Sequence, residues 1–112
     1  MARTKVNPQT IPGAYNAANG VEVTLAACDA VNGNYAYMSG GEMLMAKGTG
    51  LLTVHSVADG LGRTGNLTKT LTGSEDAIFF GPFALAGFAQ SDGALWFNGA
   101  AGVEVAWLSP SR

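Results

Sequence analysis

The stretch VEVAWL, residues 103–108, alternates: Val103, Val105 and Trp107 fall on one side of an extended chain, Glu104 and Ala106 on the other. A period of two marks a half-buried strand. Residues 21–26 read the same way, with Val21, Val23 and Leu25 opposed to Glu22, Thr24 and Ala26, and predict the first strand. Between them, short β-like runs recur after turn signals. NYAYM (34–38) follows Asn32-Gly33, EMLMA (42–46) follows Gly40-Gly41, and GLLTVHSV (50–57) follows Lys47-Gly48-Thr49. Residues 67–71 follow a Gly-rich segment, 76–80 follow Thr72-Gly73-Ser74 and stop at Gly81-Pro82, and 94–98 follow Asp92-Gly93. FALAGFAQ (83–90) fits neither period cleanly.

About eight short strands without a sustained helical period predict an all-β fold: an antiparallel β-sandwich, jelly-roll-like, with small-barrel closure as the other antiparallel solution. Uneven connections favour crossovers over a meander, and strand order stays open. The late aromatics Phe79, Phe80, Phe83, Phe88, Trp96, Phe97 and Trp107, with Leu51, Leu52, Val54 and Val57, are the candidate core. Adjacent pairs such as Phe79-Phe80 and Trp96-Phe97 point to opposite faces of a strand, so one member of each is expected outside.

Residues 1–20, with Pro8 and Pro12, read as an extended N-terminal arm, and residues 21–112 as a single domain. The arm can lie on its own domain or on a neighbour. Arg3 and Lys5, two of six basic residues, with Thr10 and Ile11 able to add a short edge strand, make it a candidate attachment to an acidic partner, adding little to the domain's own stability.

The 112 residues fit one domain, and only 12% are charged, about half the usual share. Such a surface is either reserved for another protein or simply polar and uncharged. A net charge of −2 with scattered basic residues argues against nucleic acid and anionic membranes. No apolar run has the length of a signal peptide or a membrane span, which predicts synthesis in the cytosol. Cys28, the single cysteine, has apolar or small neighbours in LAACDA and reads as a buried, inert thiol.

Little here points to catalysis or cofactors. His55 is the single histidine, on an apparent strand, and no G-x-S-x-G elbow accompanies it. Residues 60–65 spell G-x-G-x-x-G, yet strand-like NLTKTL follows where a dinucleotide site needs a helix. Asp59, Glu75, Asp76 and Asp92 fall in turns, without the spacing of a calcium loop. The expectation is no enzyme, no metal and no cofactor. Arg63 between glycines can staple its loop to carbonyls or to Asp59. An exposed Trp96 or Trp107 would offer a stacking platform for a sugar, the reading of a carbohydrate- or receptor-binding module.

Asp59, Gly62, Arg63 and Gly65, then Phe80-Gly81-Pro82-Phe83, then Gln90, Asp92 and Gly93 follow the order D-x-x-G-R-x-G, F-G-P-F, Q-x-D-G. In this the chain resembles a family of small proteins encoded in the structural modules of tailed phages and prophages. Asn66 departs from the acidic residue common there. The resemblance implies a virion structural protein, most plainly a capsid decoration (cement) protein on the head exterior, with the major capsid protein and its own copies, as a homotrimer, for partners. A tail or neck component is the other reading within that class.

Overall fold

The computed structural model describes residues 3–11, 22–58, 64–75 and 77–110. Among them the chain is all-β, with no helix and nine strands: β1 (Thr4–Lys5), β2 (Pro8–Ile11), β3 (Ala26–Ala27), β4 (Asn34–Tyr37), β5 (Glu42–Val54), β6 (Leu67–Thr72), β7 (Ile78–Phe83), β8 (Ala94–Gly99) and β9 (Val103–Pro110). They join in one curled sheet along the path β1-β4-β8-β5-β9-β2, with β6 and β7 added to β5, and β3 to β9.

The curl is made by β5. Its residues 42–48 pair with β9 and, in part, β7; its residues 49–54 pair with β6 and, at the end, β8. The sheet thus has a first wing (β1, β4, β8, late β5, β6) and a second wing (β7, early β5, β9, β3, β2). Gly48 and Gly50, at φ 114° and 131°, turn the strand between them without losing its parity. Glu42, Leu44, Ala46, Leu52 and Val54 all remain buried. At Gly48 the backbones touch, Thr49 N–H donating to Gly102 O at 3.0 Å, and a Cβ on Gly48 would collide with that carbonyl.

Both wings feed one core, in which Leu44, Phe83, Val105 and Trp107 of the second meet Leu52, Leu95 and Phe97 of the first. Trp107, with no exposed surface, stacks on Phe83 at 5.9 Å and donates Nε1–H to the Tyr37 carbonyl at 3.1 Å, so one side chain ties β9 to β4.

Several sequence expectations are corrected. The sheet is not purely antiparallel, because β1 runs parallel to β4 and β2 parallel to β9. Of the two courses open to the N-terminal arm, residues 3–11 take the one on their own domain, with Val6 in the core at 7% exposure. Among the described residues β2 is bonded on one side only, and Pro8 is tolerated at such an edge because its missing N–H need not be paired there. Occupation of β9 at residues 107–110 by β2 also explains why the alternating stretch 21–26 yields only the two-residue β3 within the described part. Thr24 is held instead by the Gln9 side chain, which donates to its carbonyl at 2.7 Å and accepts from its N–H at 2.9 Å. The expected turn at 47–49 is a bend inside β5. Gly81-Pro82, joined by a cis bond, lies within β7, opposite a register shift between Glu42 and Leu44. Residues 86–88 form a turn, with Ala89 N–H bonded to Leu85 O at 2.9 Å. Leu51, expected in the core, is half exposed.

Candidate functional site: the outer face of the first wing

Register brings Lys5 of β1, Tyr35 of β4 and Trp96 of β8 into one lateral row. His55 extends it, since its N–H donates to the Trp96 carbonyl at 2.9 Å. Tyr37, two residues beyond Tyr35 and so on the same face, meets it edge-to-face at 5.4 Å and is half exposed. Each cation of the N-terminal segment rests on one of these rings: the Arg3 guanidinium lies 4.9 Å from the Trp96 centroid and Lys5 Nζ 5.3 Å from that of Tyr37.

Arg3 is fixed by more than its ring. One terminal nitrogen donates to Asn98 Oδ1 at 2.8 Å and to the carbonyls of Asn34 and Phe97 at 3.3 and 3.2 Å. Gly33 leaves the room, for a Cβ there would overlap the guanidinium. Asn98 Oδ1 also lies 2.8 Å from His55 Nε2. Arginine can only donate, which orients the amide oxygen toward it, and an oxygen that accepts from Arg3 must accept from His55 as well. His55 Nε2 is therefore the donor in that contact. Asp92 completes the face, accepting the Trp96 indole N–H at 3.3 Å and the Ala94 N–H at 3.0 Å.

Beside the face, Asp29 opens the loop between β3 and β4. Hydrogen bonds from the Thr4 hydroxyl at 2.6 Å and from the N–H groups of Asn32 and Val31 outweigh its desolvation and hold the carboxyl down to about 2. At the other end of β4, burial pushes the Glu42 carboxyl up. Bonds from the Ser39 hydroxyl and the Ser39 and Gly40 N–H groups more than offset this and leave it below the usual range.

The remaining sequence candidates separate. Trp96 is partly exposed but Trp107 is fully buried, so the second platform is withdrawn. Thr10 and Ile11 pair with Ser109 and Pro110 at the edge of the second wing, away from Arg3 and Lys5. Asp59 and Arg63, the expected loop staple, lie outside the described residues. The Phe-Gly-Pro-Phe stretch places Phe83 in the core and Phe80 partly against it, and Phe79, at 51% exposure, faces out. Gln90, Asp92 and Gly93 form the turn into β8 through bonds from Gly93 N–H to Gln90 O and from Gln90 N–H to Ala94 O. Cys28 is buried, and desolvation pushes its thiol up to about 11. No group of three or more His, Cys, Asp or Glu side chains able to hold a metal occurs among the described residues, and no helix there is long and apolar enough to cross a membrane.

Sequence reading missed Tyr35, Tyr37 and Asn98. The period-two spacing in NYAYM carried the signal for the tyrosines. Nothing local announced Asn98, which joins the site through Arg3 and His55, residues 95 and 43 positions away. Comparison with protein-family models, curated proteins and solved structures gave no match.

Proposed function

We propose that the protein is a phage virion component of the capsid-decoration type, made in the host cytoplasm and bound as a homotrimer to the exterior of the head. The order of motifs from Asp59 to Gly93 is the starting point. The observation that carries the reading is half-exposed Phe79 on the outer face of the second wing, which registers with Met45 and lies beside the partly exposed pair Met43 and Met45 of β5. An apolar sheet face on a chain with only 12% charged residues suits permanent burial against another protein. The curled sheet serves here as a jelly-roll-like sandwich, a reading supported by the passage of both β5 and the β8–β9 run from wing to wing. A rigid body of this kind reinforces a shell by cross-linking neighbouring coat subunits.

Mass spectrometry and cryo-electron microscopy of purified particles test this directly. Copies in fixed ratio to the major capsid protein, with density on the head exterior, are expected. Density confined to the tail or neck, or absence from the particle, would replace the reading. The variant Phe79→Asp, at an exposed position, is expected to keep the thermal midpoint within a few degrees while sharply lowering occupancy on particles.

A further inference from the structure

We propose that the outer face of the first wing is a binding surface for a neutral polysaccharide. The inference does not depend on the virion reading, which uses the opposite wing.

Three features of the face converge on this ligand. Tyr37 is half exposed although Lys5 lies over one face of its ring, and with Tyr35 edge-on beside it offers apolar ring surface of the kind on which the C–H faces of sugar rings stack, bordered by Trp96 with the Arg3 guanidinium over its ring. Around them stand polar groups with unused capacity: among the described residues Asn98 Nδ2 and the second terminal nitrogen of Arg3 have no partner, and the Asp92 carboxylate, which accepts one bond on each oxygen, has lone pairs to spare. Donors and acceptors side by side match the adjacent hydroxyls of a sugar. The row Lys5, Tyr35, Trp96, His55 crosses three strand spacings, about 14 Å, enough for a short run of sugar units.

Charge and topology argue against other ligands. Arg3 and Lys5 are offset by Asp29 and Asp92, so no net field draws in a polyanion or an acidic peptide. An extended peptide adds to a sheet edge, whereas β4 and β8 are each hydrogen-bonded on both sides. Direct contacts to hydroxyls and rings, on a charge-balanced surface, favour an uncharged, hydroxyl-rich chain.

The test uses the free protein in affinity gels cast with dextran, galactomannan or soluble β-glucan, beside a gel with the anionic polygalacturonate. Retardation by at least one neutral polymer is expected, with a change in tryptophan emission that reports Trp96, because Trp107 is fully buried. Trp96→Ala and, separately, the more exposed Tyr37→Ala are expected to weaken retardation about tenfold or more; circular dichroism confirms that each variant is folded. Mobility unchanged in all three neutral gels overturns the proposal. So does retardation that survives both substitutions, or retardation by polygalacturonate alone, which would mark the face as a polyanion site. None of these outcomes bears on occupancy of the capsid, which the Phe79 variant reads separately.

Discussion

Gly48 has no freedom to become anything else. Its φ of 114° disfavours any side chain, and the Gly102 carbonyl fills the place of a Cβ. Gly48→Ala is expected to cost about 2–3 kcal/mol in chemical denaturation, whereas Gly93→Ala meets no atom and carries only the φ penalty. Two titrating residues shape the pH limits. Asp29 is held down to about 2 from 3.8, so its contribution is fully present above 3.8 and is lost as pH falls through 2. Asp29→Asn should flatten the acid limb of a stability–pH curve in that window. Cys28 is raised from 9.0 to about 11, so burial of the neutral thiol stabilises fully below pH 9.0 and the gain is lost as pH rises through 11. Its reaction with a thiol reagent at pH 8 should follow unfolding, where a reactive surface thiol would be modified at once. This buried character was legible in LAACDA, because Ala26 and Ala27 precede the thiol and its one charged neighbour, Asp29, is an anion, which disfavours a thiolate.

At the scale of elements, the N-terminal segment is part of the folded body. Thr4 and Val6 N–H groups bond to the carbonyls of Gly33 and Tyr35 at 3.0 and 2.8 Å, Asn34 Nδ2 reaches the Thr4 carbonyl, and Val6 enters the core. Removing residues 1–7 is expected to cost at least about 2 kcal/mol, from the Val6 side chain and the bonds around it, and to lower the thermal midpoint. An unchanged midpoint would restore the passive-arm expectation. Most strand positions were legible, because alternation in 34–37, 67–72, 94–99 and 103–110 is local. Pairing was not. Residues 21–26 alternate better than Pro8–Ile11, yet the latter hold the edge of β9, an outcome set by which segment reaches that edge and not by either pattern. The Lys47-Gly48-Thr49 stretch has turn composition and makes a bend, since glycine permits both and only the partners of β5 choose. The same limit applied to the site: the shared face of Tyr35 and Tyr37 follows from their spacing, whereas Arg3 meets Trp96 through a parallel pairing that local sequence does not encode.

For the whole molecule, the proposed trimer sets a mass of three times 11.4 kDa, to be read by sedimentation equilibrium of the free protein or from symmetry on the particle. A single-chain mass at every concentration, together with isolated copies on the shell, would count against it. Trp107 makes the two wings one cooperative unit, and its replacement by alanine is expected to cost about 3–5 kcal/mol. The parallel pairing of β2 with β9, Pro8 against Trp107 through Ile11 against Pro110, also governs how the molecule bears tension. A pull entering before Pro8 and leaving after Pro110 draws the two strands along their lengths in opposite directions. All their hydrogen bonds are then loaded together, in shear, where a hairpin pulled from its open end would unzip one bond at a time. Stretched across those two points by an optical trap, the protein should therefore resist to a higher force than when the load is applied across Thr49 and Thr72, the open end of the antiparallel β5–β6 pair, a mechanical direction that would suit the proposed fastener on a shell.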